Sequence, residues 1–128
     1  MTIFLLTLRE VLEIHKDEIQ HYGGAFGVRD KELLISALAQ PWASFSGQYL
    51  HKDLFEMGSA YLYHICQNHP FIDGNKRTAL AVALMFFLMN GIEIKVDSGL
   101  LADMVFKIAK GRMKKKSIAT WFCEYSSK

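Results

Sequence analysis

Apolar residues recur at helical spacing along most of this 128-residue chain. Thr7 followed by Glu10 is a capping-box pattern, and the apolar positions behind it predict a first helix over about 7–22. A second helix is expected to begin after Asp30, which is a favourable N-cap, and to end at Pro41. The pattern therefore favours helix from the start of the chain.

Two longer apolar segments follow, and a stretch without helical period precedes them. Residues 41–52 mix aromatics with Ser and Gly, which predicts an exposed loop or flap. Helix three is expected over 53–68 and helix four over 75–90, the latter apolar nearly all round, as is typical of a buried central helix. Beyond them the pattern predicts a short extended segment at 92–96, a helix at 99–110, and a last short helix from a Ser117 cap to Tyr125.

These elements predict an all-α fold with one domain over 1–128 and about six helices. A composition of 51% hydrophobic and 22% charged residues is that of an ordinary globular protein. The two cysteines, Cys66 and Cys123, lack metal-type spacing and are expected to be buried free thiols in a reducing compartment. The N-terminal residues do not resemble a secretory signal, and the 11-residue apolar run from Ala79 to Met89 is too short for a membrane span. A cytoplasmic protein without membrane contact is expected.

Positive charge is concentrated locally. The formal net charge is only +2, yet the segment from Lys110 to Lys116 holds five cations. A charge run of this kind is more often a solvated helix end than a binding surface. No aromatic residues are interleaved with it, so no direct nucleic-acid contact is expected.

A second concentration of charge lies where helix four begins, in the sequence HPFIDGNKR at 69–77. Lys76 and Arg77 stand at the helix end where the dipole is already positive, which typically costs about 0.3–1 kcal/mol per cation. Cations placed there without an acidic cluster predict an anionic ligand, and a phosphate fits best. Gly74 would let the backbone approach the phosphate closely, and the Asn75 amide would hold an oxygen.

The other residues of this segment supply complementary chemistry. Asp73 is a candidate Mg²⁺ anchor beside bound phosphates, although a lone Asp in this position is more often an N-cap. His69 is a candidate proton acceptor, although a histidine here more often satisfies a helix-end carbonyl. Phe71 is expected to insert into the core and anchor the loop. The functional interpretation gains weight because all these residues share one short segment.

HPFIDGNKR resembles the signature of the Fic/Doc superfamily, in which His, Phe, an acidic residue, Gly or Ala, Asn and Arg recur at these spacings. Fic-type adenylyltransferases usually have Gly where this chain has Lys76, and a second Arg where it has Leu80. In both respects the chain is similar to the death-on-curing, or Doc, toxins. The resemblance covers nearly the whole chain, including IHKDEIQHYGG before the motif and the helices on either side of it.

The resemblance implies a Doc-like toxin of a toxin-antitoxin module. Such an enzyme would use Mg²⁺ and ATP, or another nucleoside triphosphate, to transfer a phosphoryl group to a protein hydroxyl. The expected target is a threonine of elongation factor Tu, whose modification blocks translation. Alternatives are Fic-type adenylyl transfer by the same residues, or an inactive module that binds nucleotide or antitoxin.

The resemblance to Doc toxins also implies roles for individual residues and binding partners for the protein. His69 would be the general base, Asp73 the Mg²⁺ or base-orienting carboxylate, and residues 74–77 the phosphate cradle. A cognate antitoxin of the Phd type would occupy a surface groove, with the basic cluster at 110–116 meeting an acidic tail. The flap at 41–52 would align the target, or its aromatics would be core anchors. The sequence TWFCEY near the C-terminus matches the self-inhibitory helix of some Fic proteins only in part, so inhibition by a separate chain is expected.

Overall fold

A computed structural model describes residues 2–127, and its fold is all-α, as predicted. Very short strands form two antiparallel pairs, β1 with β2 and β3 with β4. Within the described residues the helices are α1 (Leu8–Tyr22), α2 (Lys31–Ala39), α3 (Leu54–Asn68), α4 (Asn75–Met89), α5 (Ser98–Ala109) and α6 (Lys115–Glu124), and the strands are β1 (Ser44–Phe45), β2 (Gln48–Tyr49), β3 (Glu93–Ile94) and β4 (Ser126–Ser127).

Side-chain caps fix most helix starts at the predicted places. Thr7 and Glu10 form the full capping box of α1, while Asp30 and Asp53 accept hydrogen bonds from the first turns of α2 and α3. The predicted Ser117 cap of α6 is wrong, because that helix begins three residues earlier, with Lys114 at the N-cap and no side-chain cap bond. Lys115 contacts two histidines outside its own helix, and this contact holds the first turn in place.

Helix α3 is the central element of the bundle. It packs against α2, α4, α5 and α6, and most of its residues between Phe55 and Ile65 are buried. The expectation that α4 is the buried central helix is met only on one face. Helix α4 buries that face through residues such as Val82 and Phe86, whereas Met85 and Leu88 are exposed. Part of its apolar surface is thereby left open.

The flap is a small β-hairpin rather than an irregular loop. A 3₁₀ turn at Gln40–Trp42 leads into β1, and β1 returns through Ser46 and Gly47 to β2. Both turn residues have positive φ, at 52° and 79°, as a tight type I′ turn requires. Its aromatics are not core anchors, since Trp42, Phe45 and Tyr49 are 49%, 74% and 54% exposed.

The two cysteines are free thiols, as expected, but only one is shielded. Burial raises the pKa of Cys66 to about 12, which leaves that thiol unreactive. Cys123 is exposed, contrary to the prediction, because α6 presents it to solvent. Over residues 2–127, none of the helices combines the length and apolar character that crossing a bilayer demands.

Candidate active site

The signature segment connects α3 to α4, and His69 is its first residue. His69 is the C-cap of α3 in the left-handed conformation, with φ 51° and ψ 52°. Pro70 disfavours the helical conformation at the preceding residue, so the helix ends here. A left-handed non-glycine residue is sparsely populated and persists only where its surroundings hold it. The exposed imidazole is thus directed by a strained backbone.

Arg29, in the loop between α1 and α2, holds the backbone of His69 in this conformation. Its Nε donates to the carbonyl of His69 at 2.8 Å, and its Nη2 donates to the carbonyl of Asn68 at 3.1 Å. The backbone N–H groups of Arg29 and Asp30 both donate to the Pro70 carbonyl, at 2.7 and 3.1 Å. The end of α3 is therefore fastened to this loop by four hydrogen bonds. Sequence analysis missed Arg29, because nothing near it in the chain signals its distant partner.

Phe71 and Asn75 hold the middle of the segment. Phe71 is fully buried, and its ring stacks on the imidazole of His15 with centroids 3.9 Å apart. The Asn75 Oδ1 accepts from the Phe71 N–H at 2.8 Å, and its Nδ2 donates to the Phe71 carbonyl at 3.0 Å. The Asn75 amide, expected to hold a phosphate oxygen, is therefore engaged with the loop backbone. Its own N–H, in the first turn of α4, is the group that can face an anion.

The start of α4 carries no side-chain cap. Gly74 occupies the N-cap position with φ 72°, and no side-chain hydrogen bond reaches the first turn, so the N-cap interpretation of Asp73 is wrong. The first helical bond runs from the Thr78 N–H to the Gly74 carbonyl. The three preceding N–H groups have no acceptor within the helix, which makes this end an anion site. A Cβ at Gly74 would lie 3.1 Å from Ile19 Cδ1, so the position is closely fitted.

Asp73 is positioned by the loop that follows α1. Its Oδ2 accepts from the Ala25 N–H at 2.8 Å, and its side chain packs where a Cβ on Gly24 would stand. No hydrogen bond or ion pair to the other carboxylate oxygen occurs within residues 2–127, and that oxygen is available for a cation. The carboxylate is exposed at the mouth of the site.

The two cations have different surroundings. Arg77 donates from Nη1 to the Tyr22 carbonyl at 3.2 Å and from Nη2 to the Gly23 carbonyl at 2.8 Å, so it closes the C-terminal end of α1. Three of its five N–H donors remain. Lys76 is exposed and forms no ion pair within the described part of the chain. Neither cation is neutralised by a carboxylate in contact with it, which is the charge imbalance that the sequence predicted.

These residues surround one cleft of about 370 Å³. Its lining contains every predicted site residue except Phe71, which lies beneath it in the core. A proton acceptor, a carboxylate and a cationic helix end thus meet around a space of ligand size. The lining residues are His69, Ile72, Asp73, Gly74, Asn75, Lys76 and Arg77.

His15 is a second residue that sequence analysis missed. It is fully buried, its ring stacks on Phe26 as well as on Phe71, and its Nδ1 lies 3.0 Å from the Thr78 hydroxyl. Its Nε2 accepts from the Gly27 N–H at a long 3.5 Å. Burial is the main cause that lowers the pKa of His15, and the Arg77 charge is the second, while Asp73 acts in the opposite direction. The lowered pKa favours the neutral ring. Its place four residues after the buried Val11 is the one signal that assigns it to the core face.

The donor set fits a nucleoside triphosphate with Mg²⁺. The uncapped helix end and Lys76 match phosphate oxygens, and Mg²⁺ in such sites takes one or two carboxylates together with phosphate oxygens and water. Asp73 supplies one such carboxylate. Groups of three or more His, Cys, Asp or Glu that could hold a metal ion do not occur in residues 2–127.

Known proteins share similar sequence over most of this chain. The model of the Fic/DOC family matches residues 5–87. The chain is 34% identical over 110 residues to "Protein kinase doc" of Escherichia phage P1, which covers 86% of each chain. It is 33% identical over 106 residues to "Toxin Doc" of Mycolicibacterium smegmatis, which covers 83% of this chain and 75% of that protein.

Proposed function

Because the chain belongs to the Fic/DOC family and is a Doc-like toxin, we propose that it transfers a phosphoryl group from a nucleoside triphosphate to a protein hydroxyl. The name of the phage P1 relative, a protein kinase, supports this choice within the protein-modifying transferases. The observation that carries the proposal is the cleft in which His69, Asp73 and Lys76 surround an uncapped helix end.

His69 acts as the general base. The exposed imidazole takes the proton from the target hydroxyl as that oxygen bonds to the phosphorus. The bond from the phosphorus to the bridging oxygen breaks, and the nucleoside diphosphate leaves with the electron pair. Arg29 holds the backbone of His69 at the cleft. The first-turn N–H groups of α4 and the Lys76 ammonium bind the phosphate oxygens and stabilise charge that develops in the transition state. Phosphoryl transfer depends mostly on positioning and charge neutralisation, so one compact segment is sufficient.

Lys76 selects which phosphate reacts. Fic-type adenylyltransferases usually have glycine at this position, which leaves space and bare amides, whereas Lys76 places a point charge there. We assign the γ-phosphate to the position beside His69 on this ground. Asp73 would hold Mg²⁺, and the ion neutralises phosphate charge when bound.

The target is a hydroxyl on an extended protein segment, and a threonine of elongation factor Tu is the candidate that the family implies. The β-hairpin at 44–49 carries exposed aromatics and a free strand edge. An extended segment can join such an edge as an added strand, which would fix its register relative to the cleft. Modification of that threonine would block translation.

The antitoxin partner would occupy an apolar groove of about 340 Å³ between α4 and α5. Its apolar lining includes Leu80, Leu101, Val105 and Phe106. An amphipathic helix of a Phd-type antitoxin matches such a surface. Lys76 and Arg77 form one wall of the groove as well as of the cleft, so a partner seated here would border the phosphate site.

Labelled ATP tests the reaction. The purified protein is incubated with cell extract, Mg²⁺ and ATP carrying label at either the γ- or the α-phosphate. We expect γ-label in a protein band, and His69→Ala should lower its rate by about 10²–10⁴-fold. His21→Ala is the matched control, since His21 is an exposed histidine on α1 that does not line the cleft.

Each alternative gives a different result. Transfer of α-label to protein would identify adenylyl transfer by the same residues. No transfer of either label, with nucleotide binding retained, would identify an inactive binding module. Growth arrest that persists unchanged in His69→Ala would contradict the catalytic assignment.

A further inference from the structure

A second cluster of titratable residues lies outside the signature segment. The Lys115 amine, in the first turn of α6, lies 2.9 Å from His64 Nε2 and 3.2 Å from His51 Nε2. His64 belongs to α3, and His51 lies just after the hairpin, so the amine joins three parts of the fold. None of the three residues lines the cleft of the candidate active site.

The two contacts favour one tautomer of each ring. A lysine ammonium has only donors, so it donates to both Nε2 atoms, and each neutral ring then carries its proton on Nδ1. Burial, with the Lys115 charge as the second cause, lowers the pKa of His64 to about 4 and lowers that of His51. Both rings therefore remain proton acceptors near neutral pH.

Burial favours the neutral form of the Lys115 amine, which is its nucleophilic form. A neutral amine still donates two N–H groups to the two imidazoles and keeps its lone pair. Burial of Lys115 lowers the pKa of its ammonium, which increases the neutral fraction roughly tenfold for each unit of lowering. Glu56 and Lys116 line the same pocket, and the Tyr63 ring centroid lies 5.8 Å from the amine.

Space for a small reagent lies beside this amine. A pocket of about 240 Å³ is lined by Lys115 itself with Leu50, His51, Glu56 and Lys116. Lys115 is half-buried, so its end is reachable from this pocket. The exposed Lys116 at the rim provides positive charge for an anionic reagent.

We propose that Lys115 is a modification site that is acylated by a small acyl phosphate. The amine nitrogen bonds to the acyl carbon, the bond from that carbon to the phosphate oxygen breaks, and inorganic phosphate leaves with the electron pair. The ammonium loses one proton before the attack, and the N–H proton lost during the attack passes to the His64 Nε2 and then to solvent.

Acylation would weaken the junction between the hairpin and α6. An amide nitrogen keeps a single N–H and no charge, so it cannot serve both histidines. His51 directly follows the strand pair, and its loss of a partner would increase local opening there. The modification thus connects the amine to the mobility of the flap.

Limited reaction with acetyl phosphate tests the proposal. The native protein is treated for short times, and fragment-ion mass spectrometry measures acetylation at Lys114, Lys115 and Lys116. We expect Lys115 to react several-fold faster than its two exposed neighbours, and the three rates to converge in urea. A Lys115 rate equal to or below that of its neighbours in the native protein would overturn the proposal.

Two further measurements separate the parts of the mechanism. His64→Gln, checked for folding by circular dichroism, should lower the Lys115 rate relative to Lys116, and an unchanged ratio would exclude the imidazole as proton acceptor. In the acetylated wild-type protein, amide hydrogen exchange over 44–51 should become faster, whereas exchange in α1 should not change. Unchanged exchange in the hairpin would exclude the connection to the flap.

Discussion

Asn75 tests whether the signature segment is held together by its own side chains. Asn75→Ala removes the two hydrogen bonds to the Phe71 backbone in a part of the core where Phe71 is fully buried. A buried donor or acceptor left unpaired costs about 1–3 kcal/mol, so two such groups cost about 2–6 kcal/mol. Water entering the vacated space offsets part of this, and we expect the free energy of unfolding to fall by about 2–4 kcal/mol.

Urea denaturation followed by circular dichroism measures this change, and calorimetric titration with Mg·ATP is run beside it. Asn90→Ala is the control, because at the C-cap of the same helix it removes a comparable pair of side-chain hydrogen bonds, to the Phe4 backbone, where solvent can replace them. We expect Asn75→Ala to lose stability and nucleotide affinity together. Lost affinity with a stability change below about 0.5 kcal/mol would refute the reasoning and make Asn75 a direct phosphate ligand.

Three further predictions concern the surroundings of the site. Arg29→Met should lower turnover more than nucleotide affinity, because it removes the hydrogen bond that holds the backbone of His69. Equal losses of turnover and of nucleotide affinity in steady-state kinetics would contradict this prediction. Gly58→Ala should lower the free energy of unfolding, measured by urea denaturation, by at least about 1–3 kcal/mol, because the added Cβ would overlap the Phe87 ring. Ser59→Ala next to it should leave that free energy nearly unchanged, because the Ser59 hydroxyl has no hydrogen-bond partner among the described residues. The free energy of unfolding should fall as pH drops below about 6.5, because the unfolded chain takes up protons there while the folded chain keeps three histidines neutral. His64→Phe should make that loss shallower down to about pH 4, and an unchanged slope would contradict the assignment to His15, His51 and His64.

Local signals predicted much of this fold, because they act within one turn of helix. The Thr7 capping box and the caps at Asp30 and Asp53 set helix starts correctly. The signature segment was predictable for a similar reason, because the cations that create its charge imbalance, Lys76 and Arg77, are adjacent in the sequence. The start of α6 was not, because Lys115 is held by histidines that lie 51 and 64 positions away.

Tertiary contacts account for the other differences. The residues around Asn75 in the sequence predicted that its amide binds phosphate. In the structure, that amide forms hydrogen bonds with the backbone of Phe71, four residues earlier. Arg29 has no local pattern and gains its role from a helix end 40 positions later. The apolar residues of α4 predicted a buried central helix, whereas the fold leaves Met85 and Leu88 exposed and places Leu80 in a groove. Periodicity alone does not distinguish a core face from a docking face.

The wall that Lys76 and Arg77 place between the cleft and the groove has a thermodynamic consequence. In the proposed arrangement, with nucleotide in the cleft and the antitoxin in the groove, an anionic ligand on one side would change the charge that the antitoxin meets on the other. Coupling free energies are reciprocal, so an antitoxin that weakens nucleotide binding is itself released more easily when nucleotide is abundant. The energy supply of the cell would then set how tightly the toxin is restrained.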